Sequence, residues 1–288
     1  MIKKFFFKEY KEIVKNFLTG KASFIHTYFA FFYLRKKDGF SYVKYNLKYR
    51  KYKIFVKEDD VRVFTSMILK KQKHKMLLLS ELAKKYEINY FYDLGSNYGE
   101  FILYNLFIKN IFSIDANPQM IDCQRKTFVK YSNIKFFNKA ISNTGDQTTF
   151  YCYRNTGSSS TQFLKNQILE KKINVKSIKF EQLFYKKKYK NLLIKIDIEG
   201  METEAISSLF EIEYKFTNNT IIFFEFNENS FNKIKKIQIL CNQFKKKNYM
   251  LYYVSASAAL FKKNREIPIK NVSRLHLGDY ILQKKLSI

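Results

Sequence analysis

The segment Y-D-L-G-S-N-Y-G-E occupies residues Tyr92–Glu100 and is the strongest indication of fold in this chain. An apolar run precedes it at 88–92, and a run typical of a helix follows at 101–107. A strand that ends in an acid, followed by a glycine turn and a helix, is a nucleotide-binding arrangement. Glycine lets the backbone approach a ligand closely, and the helix N-terminus offers free N–H groups. The spacing of Gly95 and Gly99 matches neither dinucleotide-binding enzymes nor a P-loop.

From residue 88 onward the hydrophobic pattern alternates between strands and helices, which predicts an α/β fold with a parallel sheet covered on both faces. Strands are expected near 88–93, 111–115, 133–137, 191–197 and 220–226. Helices are expected near 98–109, 118–129, 201–210 and 229–247. An insertion with a strand-like run (148–153) and a polar loop (155–161) separates the third and fourth strands. Two last strand-like runs, 249–254 and 279–283, predict an antiparallel end to the sheet.

Residues 1–87 contain no motif of binding or catalysis and are predicted to form a helical extension or cap. Within it, residues 52–56 have a strand-like pattern, and a helix is expected at 77–86. Residues 88–288 are then the catalytic domain. The basic, aromatic character of the extension is also compatible with lying on a membrane surface or covering an active site.

The composition indicates a packed, strongly basic protein. Of 288 residues, 46% are hydrophobic and 18% aromatic, and 53 Lys and Arg against 25 Asp and Glu give a net charge of +28. Such a charge attracts nucleic acid, acidic membranes or phosphorylated substrates, although a biased genome can also enrich lysine. Three scattered cysteines argue against a disulfide framework, and no uncharged run approaches the ~20 residues of a membrane span. We therefore expect a cytoplasmic protein, with peripheral association at the inner face of the membrane as an option.

Four predicted strands end in an acid: Asp93, Asp115, Asp197 and Glu225. Ligands of open α/β sheets bind outside the carboxyl ends of the strands, so these side chains are candidate site residues. Asp115 is suited to accept hydrogen bonds from the two hydroxyls of a ribose.

A second motif, L-I-K-I-D-I-E-G-M-E, occupies 193–202, where a buried strand runs into acids and a glycine before a helix. Asp197 ends the strand and is expected to face the crevice. Glu202 is interpreted as an acid that favours the helix N-terminus, and the same interpretation is open for Glu199.

Five motifs together resemble the FkbM-type family of S-adenosylmethionine (SAM)-dependent methyltransferases, over residues 55–230. They are D-L-G-S-N-Y-G at 93–99, S-I-D-A-N-P at 113–118, N-K-A-I-S at 138–142, G-S-S-S at 157–160 and K-I-D-I-E-G at 195–200. The resemblance implies a Rossmann-like sheet with an antiparallel last strand, bound SAM and O-methylation of a sugar. It places Ala140 or Ile141 against the adenine. The predicted cofactor-binding residues are Asp93, Gly95, Ser96, Asn97, Gly99, Glu100, Asp115, Ala116, Asn117, Ala140, Ile141 and Asp197.

A sugar hydroxyl is a weak acid, so methyl transfer to it needs a base or a metal ion. Asp197 and Glu225 end strands expected to be neighbours, about 4.8 Å apart. With Asn227 as a third oxygen ligand, they are candidates to bind Mg²⁺ or Mn²⁺. Without a metal ion, Asp197 or His276 is the candidate general base.

The expected acceptor is a sugar nucleotide or a surface polysaccharide such as capsule, held by the serine-rich loop and by Lys195 and Arg274. Three alternatives stay open. The net charge suits a nucleic-acid methyltransferase, although no base-flipping or RNA-binding motif is present and no nucleic-acid partner is expected. The acceptor can also be something other than a sugar, such as a phosphate derivative. The alternative outside the enzymes is a basic module that binds a membrane surface.

Overall fold

The structure is a computed structural model of the chain. It describes residues 34–37, 40–47, 50–57, 60, 62–63, 72–142, 146–165, 167–226, 233–254, 266–269, 275 and 277–284.

The N-terminal part of these residues forms a small antiparallel sheet. Its strands are β1 (Leu34–Lys37), β2 (Phe40–Leu47) and β3 (Arg50–Val56). The prediction of a helical extension is therefore wrong for residues 34–56, apart from the strand-like run at 52–56. Alternate residues of β2 are buried, as in a sheet with one face on the core. The period of two is obscured in the sequence because β2 has aromatic residues on both faces, with Phe40 and Tyr42 half-buried opposite the buried Val43 and Tyr45. The helix predicted at 77–86 is confirmed as α1 (Lys73–Lys85).

The remaining elements follow the predicted alternation of strands and helices. The strands are β4 (Tyr90–Leu94), β5 (Asn110–Asp115), β6 (Ile134–Asn138), β7 (Ala140–Ile141), β8 (Gln147–Tyr153), β9 (Leu169–Ile178), β10 (Tyr189–Ile196), β11 (Phe216–Phe226), β12 (Tyr249–Val254), β13 (Glu266–Pro268) and β14 (Gly278–Lys284). The helices are α2 (Glu100–Tyr104), α3 (Pro118–Thr127), α4 (Phe180–Leu183), α5 (Glu202–Glu211) and α6 (Ile234–Lys246). The longest described helices, α1 and α6, have 13 residues, and none of those described is long and apolar enough to cross a membrane.

The central sheet has eight strands in the order β13-β12-β14-β11-β10-β4-β5-β6. The strands from β6 to β11 run parallel, and β14 inserts antiparallel between β11 and β12. This confirms the Rossmann-like methyltransferase sheet with an antiparallel last strand. The chain builds outward from β4 through β5 to β6 and then returns to β10 on the other side of β4. The strand order therefore reverses between β4 and β10, where ligands of such sheets bind.

The insertion between β6 and β10 forms a third sheet. In it β9 lies between β8, with which it pairs antiparallel, and β7, with which it pairs parallel. The predicted strand at 148–153 is confirmed as β8. The long strand β9 was not predicted, because its residues are mostly exposed and charged and show no apolar alternation.

One core joins the small N-terminal sheet to one face of the central sheet. Val43, Ile54 and Val56 pack in the same buried cluster as Phe91 of β4 and Ile111 of β5. A second buried cluster lies with α5 and α6 and contains the stacked rings of strands β4 and β5. The N-terminal sheet thus stabilises the fold that carries the crevice.

Replacement of Ile54 by Ala tests this shared core. Ile54 is 1% exposed, so the cavity left behind should lower the free energy of unfolding by about 2–5 kcal/mol. Urea unfolding followed by circular dichroism and by tyrosine fluorescence should shift together. The control Ile239→Ala, at a position that is 59% exposed on α6, should stay within about 0.5 kcal/mol of wild type. Two separate transitions would show that the small sheet unfolds independently.

Candidate active site

A cavity opens at the carboxyl ends of β4, β5 and β10, where ligands of open α/β sheets bind. Three loops surround it: the glycine loop (residues 95–99) after β4, the insertion loop (residues 154–162) after β8, and the acidic loop (residues 197–201) after β10. The lining residues are Arg62, Gly95, Asn97, Ile114, Asp115, Ala116, Lys139, Ala140, Ile141, Phe150, Thr156, Gly157, Ser159, Thr161, Asp197, Ile198, Glu199 and Met201.

The two glycines of the glycine loop are required by close packing. Gly95 has φ +74°, and a Cβ there would lie 1.8 Å from the carbonyl oxygen of Asp197. Gly99 has φ +78° and begins α2, where a Cβ would lie 2.5 Å from the ring of Phe128. Only glycine lets the loops after β4 and β10 approach this closely. Gly95 lines the cavity, whereas Gly99 shapes the loop from behind.

The carboxylate of Asp115 ties the glycine loop to the start of α3. Asn97 N–H donates to its Oδ2 and Asn117 N–H to its Oδ1, each at 2.8 Å. Burial raises the pKa of Asp115 to about 6 in spite of these two bonds. Each carboxylate oxygen has a second lone pair, and Asp115 lines the cavity, so it can accept further hydrogen bonds from a ligand.

The predicted residues Ser96 and Asn117 are close to the cavity but support its wall. Ser96 is buried, with its Oγ 2.8 Å from that of Ser113, and it accepts a hydrogen bond from Gln124 Nε2 at 2.8 Å. Asn117 caps α3 by accepting from Gln119 N–H at 3.1 Å. Neither lines the cavity, so their role is to hold the loops in place.

Lys195 is a buried cation beneath the cavity, with 2% of its side chain exposed. Its Nζ donates to the carbonyl oxygen of Gly95 at 2.8 Å and lies 3.2 Å from Asp93 Oδ1 and 3.4 Å from Asp197 Oδ2. The expectation that Lys195 meets a substrate is therefore wrong, because its ammonium group is buried and contacts Gly95 and two carboxylates inside the protein. Asp93 is fully buried and does not line the cavity; it pairs with Lys195 rather than contacting a ligand there. Burial raises the pKa of Asp93 to about 6, in spite of the opposing charge of Lys195.

The carboxylate of Asp60 joins three distant segments of the chain. It accepts from Arg62 N–H at 2.9 Å and from the hydroxyl of Tyr98 at 2.6 Å. Thr156 donates its N–H at 3.3 Å and its hydroxyl at 2.5 Å to the same carboxylate. The oxygen of Thr156 also accepts from Asn97 Nδ2 at 3.1 Å. Asp60 thus connects the N-terminal segment, the glycine loop and the insertion loop.

Arg62 places a cation in the cavity wall from the N-terminal segment. Its Nε lies 3.6 Å from Oε1 of the buried Glu100. Although burial opposes it, the field of Glu100, Asp197 and other acids raises the pKa of Arg62. Glu100, predicted to bind cofactor, instead faces Arg62 from the first turn of α2. Sequence analysis assigned no site role to Asp60 and Arg62, since no motif marks them; the available signal was the pair of acids at 59–60.

Asp197 and Glu199 both line the cavity but ionise differently. Burial alone would raise the pKa of Asp197, but Lys195 and Arg62 outweigh it and hold that pKa below its ordinary value. Burial, together with the negative charges of Asp197 and Glu202, raises the pKa of Glu199 well above its usual range.

The backbone of Glu199 is held in an uncommon conformation, with φ +48°. Its carbonyl oxygen accepts from Ser160 Oγ at 2.7 Å, and the next carbonyl, of Gly200, accepts from Gln162 Nε2 at 3.1 Å. The carboxylate of Glu202 accepts from Gly200 N–H at 2.9 Å. This strained arrangement fixes Glu199 at the cavity wall, which is typical of functional sites. The sequence signal that could have identified Glu199 as a site residue was its position two residues after Asp197.

Of the three predicted metal ligands, the structure describes Asp197 and Glu225, and a lysine lies beside Glu225. Asp197 and Glu225 do end neighbouring strands, since Ile196 pairs with Phe224. However, Lys75 Nζ lies 3.5 Å from Glu225 Oε2 and 2.8 Å from Asp279 Oδ2.

Lys75 therefore shares its ammonium group between Asp279 and Glu225, and Glu225 does not line the cavity. Within the described part of the chain, His, Cys, Asp and Glu do not form a group of three that could bind a metal ion. Three predicted residues, Asn227, Arg274 and His276, lie outside the described residues.

The apolar wall of the cavity contains the residues predicted to contact adenine. Ala140 and Ile141 are buried there beside Ala116, together with Ile114 and Phe150. Ala140 and Ile141 form the short strand β7, which pairs with β9 of the insertion. The insertion therefore positions one side of the cavity.

Comparison with known proteins finds similarity in backbone arrangement only. No family model matches the chain, and no curated protein matches it, so membership of the FkbM-type family stays a prediction. Precorrin-8W decarboxylase of Methanobacterium thermoautotrophicum is 11% identical over 73% of this chain and 89% of its own, with a TM-score of 0.37.

Precorrin-6Y C5,15-methyltransferase of Geobacter metallireducens is 13% identical over 69% of this chain and 82% of its own, with a TM-score of 0.35. An rRNA methylase of Streptococcus thermophilus is 10% identical over 73% of this chain and 95% of its own, with a TM-score of 0.38. Because these identities and TM-scores are low, function has to be inferred from the residues of the site and not from the similarity.

Replacement of Lys195 by Met should destabilise the protein by about 3–5 kcal/mol, because Asp93 and Asp197 are left buried without their cation. The double variant Lys195→Met/Asp93→Asn should recover part of this loss. Urea denaturation measures both, and Lys190→Met, an exposed position on the same strand, is the matched control. A loss below about 1 kcal/mol for Lys195→Met would show that the ion pairs are not central to the fold.

Proposed function

We propose that this protein is a SAM-dependent O-methyltransferase that methylates a hydroxyl group of a sugar, in a sugar nucleotide or in a surface polysaccharide such as capsule. One observation carries the proposal. A cavity at the reversal of strand order has a carboxylate suited to ribose on one side, Asp115, and two carboxylates of opposite ionisation behaviour on the other, Asp197 and Glu199.

The residues of the cavity fit SAM. The spare lone pairs of Asp115 would accept hydrogen bonds from the ribose hydroxyls. Ala140, Ile141 and Phe150 offer the apolar surface that a purine requires, as the sequence resemblance implies. Asp197, which stays ionised, would attract the positive charge of the methionine part. When bound, SAM supplies an electrophilic methyl group on a sulfonium.

The acceptor hydroxyl must lose a proton as its oxygen takes up the methyl group. Two neighbouring carboxylates whose pKa values are shifted in opposite directions indicate separate roles for the two groups. Glu199, with the raised pKa, is the better base and would accept this proton on its side-chain carboxylate. Asp197, with the lowered pKa, holds a proton poorly and serves as a fixed negative charge. This assigns the base to Glu199 in place of the predicted Asp197 or His276.

A sugar acceptor is supported by the order of the five motifs and by the polar edge of the cavity. Ser159 and Thr161 of the insertion loop line it with hydroxyl groups, which can hydrogen-bond to a polyhydroxyl compound. Lys139 contributes a positive charge for a phosphate or carboxylate of the acceptor. A carboxylate base also removes the need for a metal ion in deprotonating the hydroxyl.

Calorimetric titration with S-adenosylhomocysteine tests the cofactor site. Asp115 must be ionised to accept from both ribose hydroxyls, and its pKa is raised to about 6. The affinity should therefore fall as the pH drops below 6, by at most about tenfold per pH unit. In Asp115→Asn this pH dependence should vanish, and the affinity at pH 7.5 should be lower by roughly tenfold or more. Absence of binding to the wild-type protein at any pH would refute the proposed function.

Replacement of Glu199 by Gln tests the assigned base. With tritiated SAM and a panel of sugar nucleotides and bacterial polysaccharides, the rate of transfer should fall about 10²- to 10⁴-fold. Affinity for S-adenosylhomocysteine should be unchanged. The wild-type rate should fall as the pH drops below the raised pKa of Glu199, and this acid limb should be lost in the variant. The exposed Glu211→Gln is the control. Full activity of Glu199→Gln would assign the base elsewhere, with Asp197→Asn as the next variant.

A further inference from the structure

A second concave surface lies between the small N-terminal sheet and the end of α3. We call it the basic groove, and it is an open surface with a volume of about 720 Å³. Six of its eleven lining residues are Lys or Arg, and none is Asp or Glu. They are Lys37, Arg50, Lys51, Tyr52, Lys53, Phe55, Lys126, Thr127, Val129, Lys130 and Tyr131.

Two of these cations are held in place by aromatic rings of the small sheet. Lys53 Nζ lies 5.4 Å from the ring centre of Tyr42, and Lys126 Nζ lies 3.9 Å from that of Phe40. The groove walls are also joined directly, since Phe55 N–H donates to Thr127 Oγ1 at 2.9 Å. The positive charge therefore belongs to a shaped surface with fixed walls, and not only to solvated lysines.

The basic groove and the active-site cavity lie at opposite ends of one helix. Ala116, which lines the cavity, precedes α3, and Lys126 and Thr127 of the groove end it. Ten helical residues span about 15 Å. A ligand that occupies both sites must therefore extend about 15 Å along α3, which several linked sugar residues do and a single sugar ring does not.

We propose that the basic groove binds an anionic polysaccharide, a glycan chain bearing carboxylate or phosphate groups, and so holds the polymeric acceptor of the reaction. The identification of this occupant as a glycan rests on the proposed function, in which a sugar hydroxyl receives the methyl group. The charge of the groove rests on the structure alone. Among acceptors of that class, the groove favours an acidic polymer over a neutral one or a sugar nucleotide.

The aromatic residues of the groove argue against single-stranded nucleic acid. Proteins that bind single strands offer open ring faces on which bases stack. Here Phe55 packs against Phe40 and Tyr42, with ring centres 6.3 and 5.9 Å away. Tyr52 and Tyr131 are half-buried and pack against the core. The rings are engaged within the protein, so charge is the feature that the groove presents to a polymer.

The experiment measures fluorescence anisotropy of end-labelled hyaluronate oligosaccharide with the full-length protein at 150 mM salt. A neutral dextran oligosaccharide of equal length and a single-stranded RNA with the same number of charges are measured beside it. The groove variant is Lys51→Gln/Lys53→Gln/Lys130→Gln. The matched control is Lys187→Gln/Lys188→Gln/Lys236→Gln, which removes three exposed charges from other surfaces.

We expect wild type and control to bind hyaluronate equally and dextran not at all, and the groove variant to bind hyaluronate roughly tenfold more weakly or worse. Equal hyaluronate binding by both triple variants would refute the groove as the site. Tighter binding of the charge-matched RNA, lost in the groove variant, would overturn the glycan occupant in favour of nucleic acid. Titration of the same three proteins with S-adenosylhomocysteine separates the two proposals. No cofactor binding in any of them would refute the methyltransferase, whatever the polymer result.

Discussion

A buried ammonium group, that of Lys195, holds together the two loops between which the active-site cavity opens. It lies where the strand order reverses, and it bonds to the backbone of one loop and to acids that end both strands. A buried charge is costly unless it is paired and hydrogen-bonded, and both conditions are met here. The close approach at Gly95, the ionised state of Asp197 and the shape of the cavity all depend on this one group.

The site is assembled from segments far apart in the sequence, and Asp60 is the carboxylate that joins them. Through it the N-terminal segment, the glycine loop and the insertion loop share one hydrogen-bonded network. The insertion loop also bonds to the acidic loop through Ser160. Residues that lack a motif of their own therefore control the geometry of residues that carry the chemistry.

The charge of this protein is divided between two kinds of surface. A chain with a net charge of +28 concentrates acids at the carboxyl edge of its sheet, where the cations of Lys195, Arg62 and Lys75 hold them. The outer basic groove contains cations without acids in its walls. The first arrangement tunes ionisation inside a cavity, and the second favours binding of an extended anion.

The sequence by itself determined the alternation of strands and helices, the antiparallel end of the sheet and the positions of Asp115 and Asp197, because hydrophobic period and strand-end acids are local properties. The tertiary structure alone decided which polar groups face the cavity. Lys195 lies two residues before Asp197 in one motif, and Asp93 lies at a strand end as Asp115 does. Lys195 and Asp93 nevertheless pair with each other beneath the cavity and do not line it. Glu225 was expected to bind metal, but Lys75, 150 residues away in the chain, lies 3.5 Å from its carboxylate. Contacts between distant segments set burial and charge pairing, and no local pattern records them.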